Sequence, residues 1–180
     1  LLLTQYTGQE EAIFGVTVSG RPTDLEDAES KVGLFINTLP LRAKYSQDQS
    51  IRDWLQELQQ GHIASREYQY TALNQIQRWS TVQGDLFDSI LVFENYPIGE
   101  TLEQDRGLEI SSDQTQDQAN YLFSIDASLQ EDLSLNFLYN ADLLEDQYVA
   151  MIKRHFEATI LNILEGFAKN AAVKLADISI

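Results

Sequence analysis

Three features of the sequence predict an α/β (α+β) fold, a mixed β-sheet covered by helices. Tyr121, Phe123, Ile125, Ala127 and Leu129 alternate with their neighbours, and Leu133, Leu135, Phe137 and Tyr139 alternate again after Gln130-Glu131-Asp132. A period of two puts each set on one face of a strand, so the stretch reads as a hairpin. Leu144, Tyr148, Ile152, Phe156, Ile160, Ile163 and Phe167 recur at helical spacing, which predicts one long amphipathic helix laid over a sheet face. Val32 to Arg42 is a mostly apolar run, Val-Gly-Leu-Phe-Ile-Asn-Thr-Leu-Pro-Leu-Arg, with one amide, Asn37, inside it. It reads as a mostly buried strand, in which a buried amide needs partners from a neighbouring backbone or from a substrate.

At 180 residues the chain has the size of one globular unit with a real core. It carries 12 Lys and Arg against 28 Asp and Glu, which argues against non-specific attraction to nucleic acid or to an anionic membrane. Cysteine is absent, which removes disulfides, thiolate catalysis and cysteine-bound zinc together. No apolar run approaches the ~18 to 20 residues of a membrane span, and Leu1-Leu2-Leu3 lacks the basic flank and length of a signal peptide. A soluble, unexported, cytoplasmic protein is expected.

In chain order, Leu1 to Tyr6 predicts the tail of a helix already under way, as in a chain that starts mid-domain. Ala12 to Ser19, with Ile13, Phe14, Val16 and Val18, predicts a buried strand ended by Gly20-Arg21-Pro22. Asp24 to Lys31 reads as a loop or short helix leading to the Val32 strand, in which Pro40 marks an edge or a bulge. Ser50 and Asp53 resemble a capping box for a helix to about Arg66, with Ile51, Trp54, Leu55 and Leu58 on its apolar face and Gly61 weakening its middle. Thr71 caps a second short helix with Leu73, Ile76 and Trp79 on one side, and both tryptophans are expected to anchor the core. Phe87 to Asn95 predicts a strand closed by Pro97 and Gly99. Gly99 to Gln118 is the longest polar stretch and predicts an exposed or mobile connection, with a short strand possible at Leu108 to Ser111. Asp142 and Glu145 form a capping signature before the long helix, and Ala171 to Ile180 returns to a loop or a final strand.

The chain offers no self-sufficient catalytic set. His62 and His155, its 2 histidines, lie in predicted amphipathic helices and are expected to be surface or helix-packing residues. No ligand spacing for zinc occurs, so no metal site is expected, and acid pairs such as Glu10-Glu11 or Asp24 with Glu26 and Asp27 read as solvated carboxylates. Neither a Gly-x-Ser-x-Gly elbow nor a phosphate-binding glycine loop is present.

The Val32 to Arg42 run, with Phe14-Gly15-Val16-Thr17-Val18-Ser19-Gly20-Arg21-Pro22 upstream and Leu86 to Pro97 downstream, resembles the condensation domains of nonribosomal peptide synthetases. The Phe-Ile/Val-Asn-Thr core, at Phe35 to Thr38 here, is usually missing from the related epimerization and heterocyclization domains. The resemblance covers essentially the whole chain and the C-terminal half of the family's domain. It implies that residues 1–180 form one chloramphenicol-acetyltransferase-like lobe, inactive alone, while the N-terminal lobe with its His-His-x-x-x-Asp-Gly motif is absent. In the family an acceptor amine attacks a donor thioester in a tunnel between the lobes, and both substrates ride on the phosphopantetheine arms of carrier proteins.

Carried over residue by residue, the resemblance implies that Asn37 faces this tunnel as an accessory to catalysis, orienting a thioester carbonyl or the amides of the arm. Ser19 and Arg21 fall in a Ser-Gly-Arg-Pro turn near the tunnel, or simply in a strand-ending turn. Arg42 either pairs with a carboxylate or holds the two lobes in register. The family's His/Asn-Gln-Asp-Tyr/Val-Pro-Phe-Glu block falls near Glu67 to Leu73, but reads Glu-Tyr-Gln-Tyr-Thr-Ala-Leu here, which leaves roles for Tyr68 and Tyr70 open. Expected partners are the N-terminal lobe, donor and acceptor carrier proteins and a neighbouring adenylation domain, with Lys153 and Arg154 as one candidate docking pair. The rival readings are a non-catalytic carrier-docking or scaffold module of the same fold, and an ester-forming acyltransferase relative.

Overall fold

A computed structural model describes residues 1–20, 25–27, 30–94, 121–129, 131–168 and 173–178. The predicted strand at Leu108 to Ser111 and the connection at Gly99 to Gln118 lie outside these residues, as does Arg21.

Glu11–Ser19 (β1) and Ile36–Lys44 (β2) pair antiparallel along their full length, from Glu11 opposite Lys44 to Ser19 opposite Ile36. Ser89–Glu94 (β3) joins β1 in parallel, Phe123–Leu129 (β4) joins β3 in parallel, and Leu133–Tyr139 (β5) returns antiparallel on β4. The order is β2-β1-β3-β4-β5, a mixed sheet as predicted. Pro40 lies on the edge strand β2, where a missing N–H costs least.

The registers align Leu39, Val16, Leu91, Ile125 and Phe137 in one row across all five strands. This face carries the core, and the helices cover it. Ile51–Ser65 (α2) buries Ile51 and Trp54 against Ala43, Leu175 and Ile178, and the Trp54 indole N–H donates to the Lys44 carbonyl at 2.7 Å. Ser50 caps this helix by accepting from Asp53 N at 3.1 Å. From Leu73–Trp79 (α3), Ile76 packs against the cluster of Val16, Val18 and Leu39. The long helix Asp146–Ala168 (α4) sets Phe156 edge-on to Phe137, with ring centroids 5.8 Å apart. Tyr139 Oη donates to Asp146 at 2.8 Å and ties the end of β5 to the start of α4. At the N-terminus, Leu2–Thr7 (α1) ends at Gly8, whose φ of 67° is the left-handed cap that glycine takes without a Cβ penalty.

Gly15 belongs to the opposite face, and its need is steric. A Cβ there would stand 2.5 Å from the Phe87 ring, 2.7 Å from Ile90 Cγ2 and 2.8 Å from Thr38 Cγ2. The strand can carry no side chain at that point without moving its neighbours.

Several boundaries and burials differ from expectation. The strand expected from Val32 begins at Ile36, and Val32 and Leu34 are fully or nearly fully exposed, because the β1 partner ends where Ser19 meets Ile36. Trp54 is buried, but Trp79 is 72% exposed at the end of a helix too short to carry it inward. Leu55 likewise turns to solvent, and Ala72 rather than Thr71 precedes α3 with no side-chain cap. Asn140 organises a turn that accepts from the N–H groups of Asp142, Leu143 and Leu144, so the long helix starts at Asp146 instead of after Asp142. Its Tyr148 lies outside the buried stripe, which is centred on Val149. β3 starts at Ser89, while Phe87 packs below it in a stack with Tyr121. The tail forms a 3-10 turn at Leu175–Asp177, with Leu175 sealed from solvent.

Candidate functional site

The amide of Asn37 is held by main chain. Its Nδ2 donates to the carbonyls of Gln69 at 2.8 Å and Thr71 at 2.9 Å, and its Oδ1 accepts from Thr38 N at 2.9 Å. Both donors are thus committed, and one acceptor position on Oδ1 remains. These partners lie 32 and 34 residues further along the chain, in the segment linking α2 to α3. A 3-10 turn at Arg66–Tyr68 and the Thr71 N–H to Tyr68 carbonyl bond fold that segment into a compact turn. Sequence reading leaves open whether backbone or substrate satisfies Asn37, and it does not single out Gln69 and Thr71 as the partners. The signal available is the unpaired amide itself, which demands two carbonyls.

Beside this turn lies the end of β1. Val18 is the cross-strand partner of Asn37, and Gly20 N–H donates to Phe35 at 3.2 Å to close the β1–β2 pair. A Cβ on Gly20 would lie 3.5 Å from the Gln69 side chain, so the 66–72 turn rests on the Ser19–Gly20 end of the strand. Ser19 is exposed and pairs with Ile36, and strand alternation sends its side chain to the face opposite that of Asn37.

Arg42 is separate from this group. Five residues along β2, about 17 Å from Asn37 by strand rise, its guanidinium forms an ion pair with Glu11, Nε donating at 3.0 Å. Of the residues expected at the site, the structure brings Ser19 and Asn37 to one end of the β1–β2 pair, leaves Arg42 at the other, and describes nothing of Arg21.

His155 Nδ1 bonds to Tyr6 Oη at 2.7 Å and links α4 to α1. His62 has its basicity lowered by burial, and further by the Arg66 guanidinium one turn away. Among the described residues no cluster of three or more His, Asp or Glu could hold a metal ion. The Lys153 ammonium sits 5.2 Å over the Phe137 ring, and Arg154 is exposed. A cavity of about 390 Å³ lies between α3 and the starts of β3 and β4, lined by Leu73, Gln77, Phe87 and Tyr121 with Asp85 and Asp88. Of the expected site residues that are described, neither Ser19, Asn37 nor Arg42 lines it. No described helix is long and apolar enough to cross a membrane.

Comparison with known proteins agrees with this architecture. The family model of the Condensation domain matches residues 1–178. A linear gramicidin synthase of Brevibacillus parabrevis is 38% identical over 182 aligned residues, which take in 100% of this chain and 4% of that protein. Bacitracin synthase 3 of Bacillus licheniformis is 32% identical across 100% of the chain and 3% of its own length. A solved four-domain nonribosomal peptide synthetase, holo-AB3403 bound to AMP and glycine, superposes with a TM-score of 0.77 at 17% identity over 99% of this chain and 15% of that one. The chain therefore spans a small part of each relative. It belongs to the Condensation domain family.

Proposed function

We propose that residues 1–180 are the C-terminal lobe of a nonribosomal peptide synthetase condensation domain, which joins donor and acceptor aminoacyl or peptidyl thioesters. The family match across residues 1–178 is the observation that supports this reading. In the reaction the acceptor amine attacks the donor thioester carbonyl, the C–N bond forms, the C–S bond breaks, and the donor arm leaves as a thiol. The amine's proton passes to a base on the N-terminal lobe, from its His-His-x-x-x-Asp-Gly motif. His155, bonded to Tyr6, is a helix-linking residue and takes no part.

In this reading the lobe supplies tunnel wall and docking surface, and is inactive by itself. Substrates arrive on phosphopantetheine arms of donor and acceptor carrier proteins, with an adenylation domain as neighbour, in the cytoplasm. Ser19, at the end of β1, borders the tunnel, and Arg21 is assigned to it by the motif alone. With both amide donors committed to the 66–72 turn, Asn37 meets the arm through the remaining acceptor position of Oδ1, which suits an amide N–H and not a thioester carbonyl. Arg42 keeps the carboxylate-pairing role, with Glu11.

The test is a condensation assay on the parent polypeptide with both carriers loaded, following dipeptidyl carrier by mass spectrometry. Product that falls ~10-fold or more in Asn37→Ala, in a variant that remains folded, supports a role for Asn37 in the reaction. Product unaffected by the substitution returns Asn37 to structure alone. Absence of product from a parent whose carriers are well loaded overturns the enzymatic reading in favour of a docking module.

A further inference from the structure

We infer that the cavity between α3 and the starts of β3 and β4 is a binding site for a small organic cation, a primary ammonium carried on an aromatic body. The inference goes beyond the peptide-bond-forming reaction and does not depend on it. Its first support is the wall. The cavity measures about 390 Å³, within the range of small-ligand sites. One side of it is Phe87, only 8% exposed, whose ring stacks on Tyr121 with centroids 5.6 Å apart and planes 27° from parallel. That ring takes the space of a side chain on Gly15, reaching within 2.5 Å of where its Cβ would stand. A glycine inside a strand weakens it, and β1 carries one at the point where the ring comes closest. The aromatic wall is therefore in place before any ligand arrives.

The polar groups select the charge of the ligand. Both N–H bonds of the Gln77 amide are committed, to the Gly84 carbonyl at 2.9 Å and to Asp85 Oδ1 at 3.0 Å. Gln77 therefore offers the cavity an oxygen, and it holds Asp85 by one carboxylate oxygen while the other stays open. Asp88 is exposed at the rim, and its carboxylate has no ion-pair or hydrogen-bond partner among the described residues. Neither lysine nor arginine is among the described residues that line the cavity. Apart from the Tyr121 hydroxyl, the free side-chain polar groups here are acceptors. An ammonium brings three donors and a positive charge to that set, and an aromatic body lies against Phe87 and Tyr121. An anionic ligand of the same shape meets two carboxylates and no cation.

Position and contrast complete the case. Gly15 pairs with Ile90 and Val18 with Asn37. Asp88 therefore lies two residues before the level of Gly15 and Asn37 three after it, about 17 Å apart along the strand direction. The cavity is thus a place in the lobe for which the motif residues have no use. A second, smaller cavity of about 140 Å³, lined by Arg42, Lys44, Trp54 and Glu57, lacks the same selectivity. It mixes both charges, and Arg42 is already paired with Glu11 and Glu57 with the Gln49 amide.

The test is hydrogen exchange read by mass spectrometry on the parent polypeptide at low salt, titrated with tryptamine and, separately, with indole-3-acetate, which carries the same ring system and the opposite charge. Tryptamine is expected to slow exchange in peptides covering residues 73–77, 85–88 and 121–122, and indole-3-acetate to leave them unchanged. Asp88→Asn, a substitution of equal size at an exposed position, should raise the tryptamine concentration for half protection about threefold, and Asp85→Asn with Asp88→Asn about tenfold, the scale of partly exposed ion pairs. Asp142→Asn, at an exposed carboxylate that does not line the cavity, should leave it unchanged. Protection of the three peptides that weakens in this order supports the inference. Protection found only elsewhere in the polypeptide, or equal protection by indole-3-acetate, overturns it. So does an equal loss in Asp142→Asn, which would mark a response to net charge.

Discussion

The two edges of the sheet are built from different material. β2 carries Pro40, Arg42 and Lys44, and its Leu39 and Ala43 are sealed beneath α2 and α3 at 2% and 3% exposure. β5 holds neither a charge nor a proline, and its first residue, Leu133, stays half exposed beside its cross-strand neighbour Leu129. A proline and two cations deter the pairing of a foreign strand with an open edge, whereas an uncharged alternating edge permits it. The difference teaches that this chain places its packing at the β1–β2 side, where Asn37 and Arg42 sit. The hairpin side contributes less to holding the fold together.

The strongest way to break this comparison is to truncate one leucine on each edge. Leu39→Ala removes a fully buried side chain between two strands and a helix, and a loss of about 3 kcal/mol is expected in chemical denaturation. Leu133→Ala, half exposed to begin with, should cost less than about 1 kcal/mol. Equal losses would refute the asymmetry. A smaller effect sharpens it at the motif. Asn37→Ala leaves the carbonyls of Gln69 and Thr71 without their side-chain donor and should cost about 2 kcal/mol. Amide exchange should rise within residues 66–72 and stay unchanged in β4 and β5; protection retained in the turn would show that Asn37 does not hold it.

The smallest effect is a pH dependence at the same side of the molecule. Burial and Arg66 hold the His62 imidazole below its ordinary pKa, so the folded protein resists its protonation while the unfolded chain accepts it near pH 6.5. Between those two values the unfolded state binds more protons. Stability is therefore highest above about pH 6.5 and declines as pH falls through that value toward the folded pKa. His62→Gln should flatten the fall in melting temperature between about pH 7.5 and 5.5, and an identical slope in the variant would assign the acid sensitivity elsewhere.

Much of the architecture was legible in local patterns. Tyr121 to Tyr139 gave the hairpin, the spacing of Ile152, Phe156, Ile160 and Ile163 gave the long helix, and of the edge or bulge that Pro40 marked the structure has the edge. The errors share one cause. Trp54 and Trp79 both stand on apolar helical faces in sequence, yet one donates to Lys44 under the sheet edge and the other projects into solvent. Val32 and Leu34 are as apolar as Leu39 and Leu41, but β1 runs out before it reaches them.

By itself, the sequence determined the element types and the family, because periods of two and near 3.6 are set by backbone geometry and the motif blocks are contiguous. Tertiary structure alone decided that both amide protons of Asn37 were committed to main-chain carbonyls, and which tryptophan anchored the core. Those outcomes depend on chain segments tens of residues away coming within about 3 Å, the range over which hydrogen bonds and close packing act.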